Sequence, residues 1–179
     1  LEIAPYTLSE EPQRLGSAQL AAARAAAEDA GIAVTGLHWL LLKPAGLSIS
    51  TRDDAVRRKT LDVMFALVDQ CAELGGRYLV HGSPHQRRID PGDTRAAALA
   101  RAQACFAAAG ERAEKAGLMY CIEPLASEQT PLINTLKEAA LMVEAIGSRA
   151  VRSMLDCSAA GRMESAPLAA LVDRWLPSG

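Results

Sequence analysis

The sequence has 179 residues, half of them apolar and 22% charged, with a formal net charge of −2. That length suits one ordinary domain able to bury a sizeable core. No Lys/Arg stripe interleaves with aromatics, and no apolar run reaches membrane length, so neither a nucleic-acid face nor a membrane partner is expected. Cys71, Cys105, Cys121 and Cys157 are widely spaced, with no C-x-x-C pair. They read as buried free thiols of a cytoplasmic protein rather than as metal ligands. No signal peptide is visible, and the chain starts at Leu1 rather than at a methionine.

Leu1-Glu2-Ile3-Ala4 reads as a short strand stopped by Pro5. Leu15 to Ala30 is alanine-rich and helical, closed by Gly31. Ala33 to Leu42 reads as the next strand, ended by Lys43-Pro44. Asp53 or Asp54 can cap a long helix running to Leu74, which Gly75-Gly76 terminates. Arg77 to His81 is a third strand, and His85 to Asp93 a polar loop in which Arg87-Arg88 reads as a solvated pair, with contact to an anionic ligand group as the alternative. Thr94 to Ala116 is a long helix closed by Gly117. Leu118 to Ile122 is the fourth strand, with Glu123 at its tip and Pro124 stopping it. Thr135-Leu136-Lys137-Glu138 is a capping box for a helix ending before Gly147. Val151 to Asp156 is a fifth strand, and a last helix covers Pro167 to Trp175.

Strands alternating with crossover-length helices predict an α/β domain over 1–179 with a parallel sheet. Either an open doubly wound sheet or a (β/α)8 barrel fits that alternation. No Gly-rich phosphate fingerprint follows any strand, which weighs against a dinucleotide-binding sheet.

Side chains on a strand alternate faces. If Glu123 faces the barrel interior, Cys121 and Met119 share its face, while Tyr120 and Ile122 face the helices. The same rule pairs Asp156 with Met154, His81 with Leu79, His38 with Leu40 and Glu2 with Ala4. Each strand thus carries one polar residue near its C-terminal part: Glu2, His38, His81, Glu123 and Asp156. A barrel gathers such residues into one cup at the C-terminal ends of its strands. A buried Glu at a strand tip needs a metal, a cation or a substrate hydroxyl as partner, unless it caps a loop.

These residues resemble those of the sugar phosphate isomerase/epimerase superfamily. The resemblance rests on Leu1-Glu2-Ile3, Gly36-Leu37-His38, His81-Gly82-Ser83-Pro84 and Met154-Leu155-Asp156. Its most specific part is Ile122-Glu123-Pro124-Leu125 with Asn134-Thr135 and Glu138 following. That superfamily has the xylose isomerase-like TIM barrel and includes ketose 3-epimerases, hydroxypyruvate isomerases and inosose dehydratases. Counted against it, the strands present look like the second to the sixth. The barrel is therefore expected to be incomplete, with about five βα units and with the first and last strands missing, as in a fragment.

The resemblance implies a divalent metal, Mn, Co or Mg, held at the barrel mouth by Glu123, Asp156 and two further residues from strands beyond this sequence. It implies Glu123 as the proton carrier, with Glu2, His38 and His81 binding the substrate. Where many members carry a substrate-contacting histidine, this chain has Ala159. The expected activity is an isomerase or epimerase moving a proton next to the carbonyl of a small sugar or hydroxy-carbonyl compound. The competing expectations are a metal-dependent dehydratase of a polyol such as an inosose, and a non-catalytic barrel. A nuclease of the same fold fits poorly, because the chain has three histidines and no basic face. Pairing into a homodimer, common among such barrels, is a further expectation.

Overall fold

A computed structural model describes residues 1–176. Its strands are β1 (Glu2–Ile3), β2 (Gly36–His38), β3 (Tyr78–His81), β4 (Met119–Ile122) and β5 (Val151–Ser153). They form one five-stranded sheet in the order β1-β2-β3-β4-β5, every neighbouring pair parallel. The helices are α1 (Ser17–Asp29), α2 (Asp54–Glu73), α3 (Arg95–Lys115), α4 (Leu136–Ile146), α5 (Cys157–Met163) and α6 (Leu168–Trp175). Sequential parallel pairing with a crossover between each pair of strands is the arrangement of a partial (β/α)8 barrel. No helix among the described residues is long and apolar enough to cross a membrane.

Local chemistry sets the helix ends. Asp53 caps α2 by accepting from the N–H groups of Ala55 and Val56, and Thr94 and Thr135 cap α3 and α4 in the same way. Glu138 closes the capping box from the other side, accepting from the Asn134 N–H at 2.7 Å. Gly147 ends α4 at φ +67°, a left-handed conformation that glycine adopts without a steric cost.

The core lies between the sheet and the helices. Val63, Met64, Leu67 and Val68 of α2 and Ala98, Ala102, Phe106 and Ala109 of α3 pack there against Leu37, Leu79, Tyr120, Ile122 and Val151. Each large side chain buried in this way contributes about 1.5–3 kcal/mol. The opposite face of the sheet is more open: Met119 is 43% exposed, and Cys121 is half-buried between buried Tyr120 and Ile122.

Three expectations need correction. β2 covers Gly36–His38 rather than Ala33 to Leu42, because Trp39 has φ 57° and breaks the extended backbone. The segment after Asp156 is a helix, α5, capped by the Asp156 side chain, where no helix was expected. All four cysteines are free, but Cys157 is exposed and Cys121 half-buried rather than fully buried.

Candidate active site

Glu123 sits one residue beyond β4. Its N–H donates to the His81 carbonyl at 3.3 Å, and Pro124, lacking an N–H, ends the ladder. The pairing of His81 with Ile122 sets Gly82 beside Glu123 on the interior face. A Cβ at Gly82 would collide with Glu123 Oε2, so glycine is what lets the carboxylate lie over β3. There Glu123 is only 5% exposed.

His38 lies between two carboxylates. Its Nε2 is 3.4 Å from Glu123 Oε2, and its Nδ1 is 3.4 Å from Glu2 Oε2. Glu2 is held in turn by the Tyr78 hydroxyl, which donates to Oε1 at 2.9 Å. The Tyr78 ring lies across Gly36, where a Cβ would strike it. The Glu123 carboxylate raises the His38 pKa above 6.5; burial opposes the shift, and the charges of Glu123 and Glu2 add to it. The result is a chain Tyr78–Glu2–His38–Glu123 that draws on β1, β2, β3 and the tip of β4. Such a chain can hold a proton on the imidazole while Glu123 Oε1 has no hydrogen-bond partner among the described residues.

His81 does not join this cup. Its pairing partner Ile122 faces the helices, and so does His81. Its ring stands edge-on to Phe106 of α3 with centroids 4.9 Å apart, and Nδ1 is 2.7 Å from the Tyr120 hydroxyl. Alternation within one strand cannot say which of its two faces meets the next strand's interior face, because that depends on register. Burial, and then the charge of Arg87, push the His81 pKa well below 6.5 and keep the ring neutral.

Arg87 corrects another expectation. It belongs to a short 3-10 turn, Pro84–Arg87, that directly follows β3, and it is completely buried rather than solvated. Its guanidinium donates to the backbone carbonyls of Glu123, at 2.8 Å, and of His81. Arg88, by contrast, reaches the exposed His85 ring at 2.8 Å.

Asp156 lies two residues beyond Met154, whose N–H donates to the Ile122 carbonyl at 3.3 Å, and its Oδ1 accepts from the Ser158 N–H at 2.6 Å. Behind the Glu123 strand, the Asn134 amide donates to the carbonyls of Leu125 and Thr130, both at 2.8 Å, and ties the following loop to α4. The sequence reading gave Tyr78 and Gly82 no role of their own at the site and took Arg87 for a solvated loop residue. A tyrosine within a strand and an arginine in a charged loop carry no spacing signal of their own.

Glu123 and Asp156 offer hard oxygen donors of the kind Mn, Co or Mg takes. Among the described residues no group of three or more His, Cys, Asp or Glu is close enough to hold a metal ion. The two carboxylates therefore fit as part of a ligand set, not as a whole one.

The sheet order, the crossovers and a polar cup at the strand ends define a barrel-type α/β protein. The chain belongs to the xylose isomerase-like TIM barrel family, whose family model matches residues 2–174. It is similar in structure to D-psicose 3-epimerase from Clostridium cellulolyticum H10, solved with D-tagatose. There the TM-score is 0.81 at 22% identity, covering 98% of this chain and 60% of that one. A D-psicose 3-epimerase solved in the presence of D-fructose gives TM-score 0.77 at 23% identity, covering 92% and 55%. The apo 3-keto-D-glucoside 4-epimerase of E. coli gives 0.76 at 18% identity, covering 97% and 64%. This chain thus spans less than two thirds of each of them. No curated protein matches it in sequence. At these identities the likenesses show the fold.

Proposed function

We propose that the protein is a metal-dependent isomerase or epimerase that moves a proton next to the carbonyl of a small sugar or hydroxy-carbonyl substrate, through an enediolate of that substrate. The observation that carries this reading is the buried Glu123 carboxylate at a strand tip, with Oε2 against His38 and Oε1 without a hydrogen-bond partner among the described residues. The epimerase names of the structural neighbours support the sugar substrate.

In this reading Glu123 takes the proton from the carbon beside the carbonyl and returns it. His38 fixes Glu123 Oε2, and Glu2, set by the Tyr78 hydroxyl, fixes His38. Glu2 and His38 also face the cup and bind substrate hydroxyls. His81 supports the site from the helix layer, through Tyr120 and Phe106. Glu123 and Asp156 would supply two oxygen ligands to the divalent metal. When bound, that ion supplies the Lewis acid that stabilises the developing oxyanion.

The test is solvent-deuterium incorporation. The full-length protein, supplied with Mn²⁺ and ketohexoses in D₂O, is expected to place deuterium on the carbon next to the carbonyl. Glu123→Gln should lower that rate by about 10²–10⁴-fold. Asp156→Asn should lower bound metal by elemental analysis, with partial rescue by excess Mn²⁺. Release of water from a polyol without epimerised product would assign a dehydratase. A Glu123→Gln variant with full activity would remove Glu123 from the chemistry.

A further inference from the structure

Arg87 poses a problem that packing does not answer. It is completely buried and has no carboxylate partner among the described residues. A buried cation without a counter-ion costs several kcal/mol, so stability alone is a poor reason to keep it. Burial draws its own pKa down to about 10, and the neighbouring Glu123 charge opposes that shift. Its Nε has no hydrogen-bond partner among the described residues, and its ζ-carbon stands 5.9 Å from the centre of the Phe106 ring.

Its two terminal nitrogens each donate to a backbone carbonyl of the same rung. One arm donates to the Glu123 carbonyl at 2.8 Å and the other to the His81 carbonyl. That His81 oxygen is the one that also accepts the Glu123 N–H. The guanidinium thus closes a ring across the last rung between β3 and β4, at the point where Pro124 leaves the ladder without a donor. The Thr130 hydroxyl, donating to the Arg87 carbonyl at 3.2 Å, ties the turn to the loop after β4.

We propose that Arg87 is a positioning residue whose planar guanidinium pins the backbone at Glu123 and so aims its carboxylate at the substrate. The proposal rests on Glu123 being the proton carrier. With the Glu123 N–H on His81, its carbonyl on Arg87 and its Oε2 against His38, the residue is held at three points. The fork suits this task, because its two terminal nitrogens are held in one plane and serve one carbonyl each, whereas a lysine brings a single nitrogen on a flexible stem. A misplacement of about 1 Å at the reacting group costs about 100-fold in rate.

Arg87→Lys and Arg87→Ala are compared with the parent in the full-length protein, with kcat expressed per folded molecule. Arg87→Lys is expected to lose about 100-fold in kcat while KM stays within about twofold. Guanidinium chloride at a non-denaturing concentration should restore part of the kcat of Arg87→Ala and none of that of Arg87→Lys. Amide exchange read by mass spectrometry should quicken in the peptide spanning 119–125. Unchanged kcat per folded molecule overturns the proposal, as does a KM that rises in step with the kcat loss, or a loss with exchange unaltered. If the parent moves no substrate proton, the catalytic reading fails on its own. The clamp is then judged by exchange, and an Arg87→Lys variant with parental exchange at 119–125 overturns it.

Discussion

Two histidines in this protein have opposite electrostatic surroundings. His38, against Glu123 and Glu2, has a raised pKa, and its stabilisation is full below 6.5 and fades as pH rises through the raised value. His81 is buried and neutral, with a pKa well below 6.5. The unfolded chain binds a proton at His81 near that value and the folded chain does not, so its contribution is present above pH 6.5 and lost on acidification. His81→Gln is expected to flatten the fall of the urea midpoint between about pH 6.5 and 5 relative to the parent. Comparison with the parent leaves the opposing His38 contribution common to both. Gly82 offers a second residue-scale prediction. Gly82→Ala sets a Cβ on the Glu123 carboxylate, so kcat should fall together with stability, the latter by about 1–3 kcal/mol.

At the scale of elements, the helix caps and the loop after Glu123 separate cleanly. Asp53 serves two N–H groups at the start of α2, far in the chain from the strand tips. Asp53→Ala should cost about 1 kcal/mol in chemical denaturation and leave kcat and KM unchanged. Asn134 ties the segment after Glu123 to α4 by two hydrogen bonds. Replacing it with alanine should cost about 1–3 kcal/mol, since two carbonyls lose their donor, and should also quicken amide exchange at 125–134. β2 shows how one residue limits an element: its apolar run promised a long strand, and the left-handed Trp39 ends it at His38, beside the site.

For the molecule as a whole, the two faces of the sheet are unequal. The helix side is closed by α2 and α3, whereas Tyr78, Met119, Cys121 and Arg152 line a face with substantial exposure. β1 and β5 each have one unpaired edge among the described residues. Residues 1–179 expressed as one chain are expected to melt broadly and to self-associate at micromolar concentration, because unpaired strand edges and a sheet face that no described helix covers invite pairing. A monodisperse species in analytical ultracentrifugation with one sharp transition would contradict this.

The order and parallel direction of the strands follow from features that are local in sequence. Alternating strand and helix patterns, Asp53, Thr94 and Thr135 as caps, and glycines after the helices each act over a few residues, and the right-handed crossover rule assembles them. The strand-tip position of Glu123 was legible for the same reason, since Pro124 marks the end of β4 from within the sequence. Which side His81 faces was not legible, because it depends on how β3 registers against β4, and a shift of one residue exchanges the two faces. The burial of Arg87 was equally hidden: a charged loop folds inward only where two carbonyls from different strands wait for its guanidinium, and only the assembled sheet brings them together.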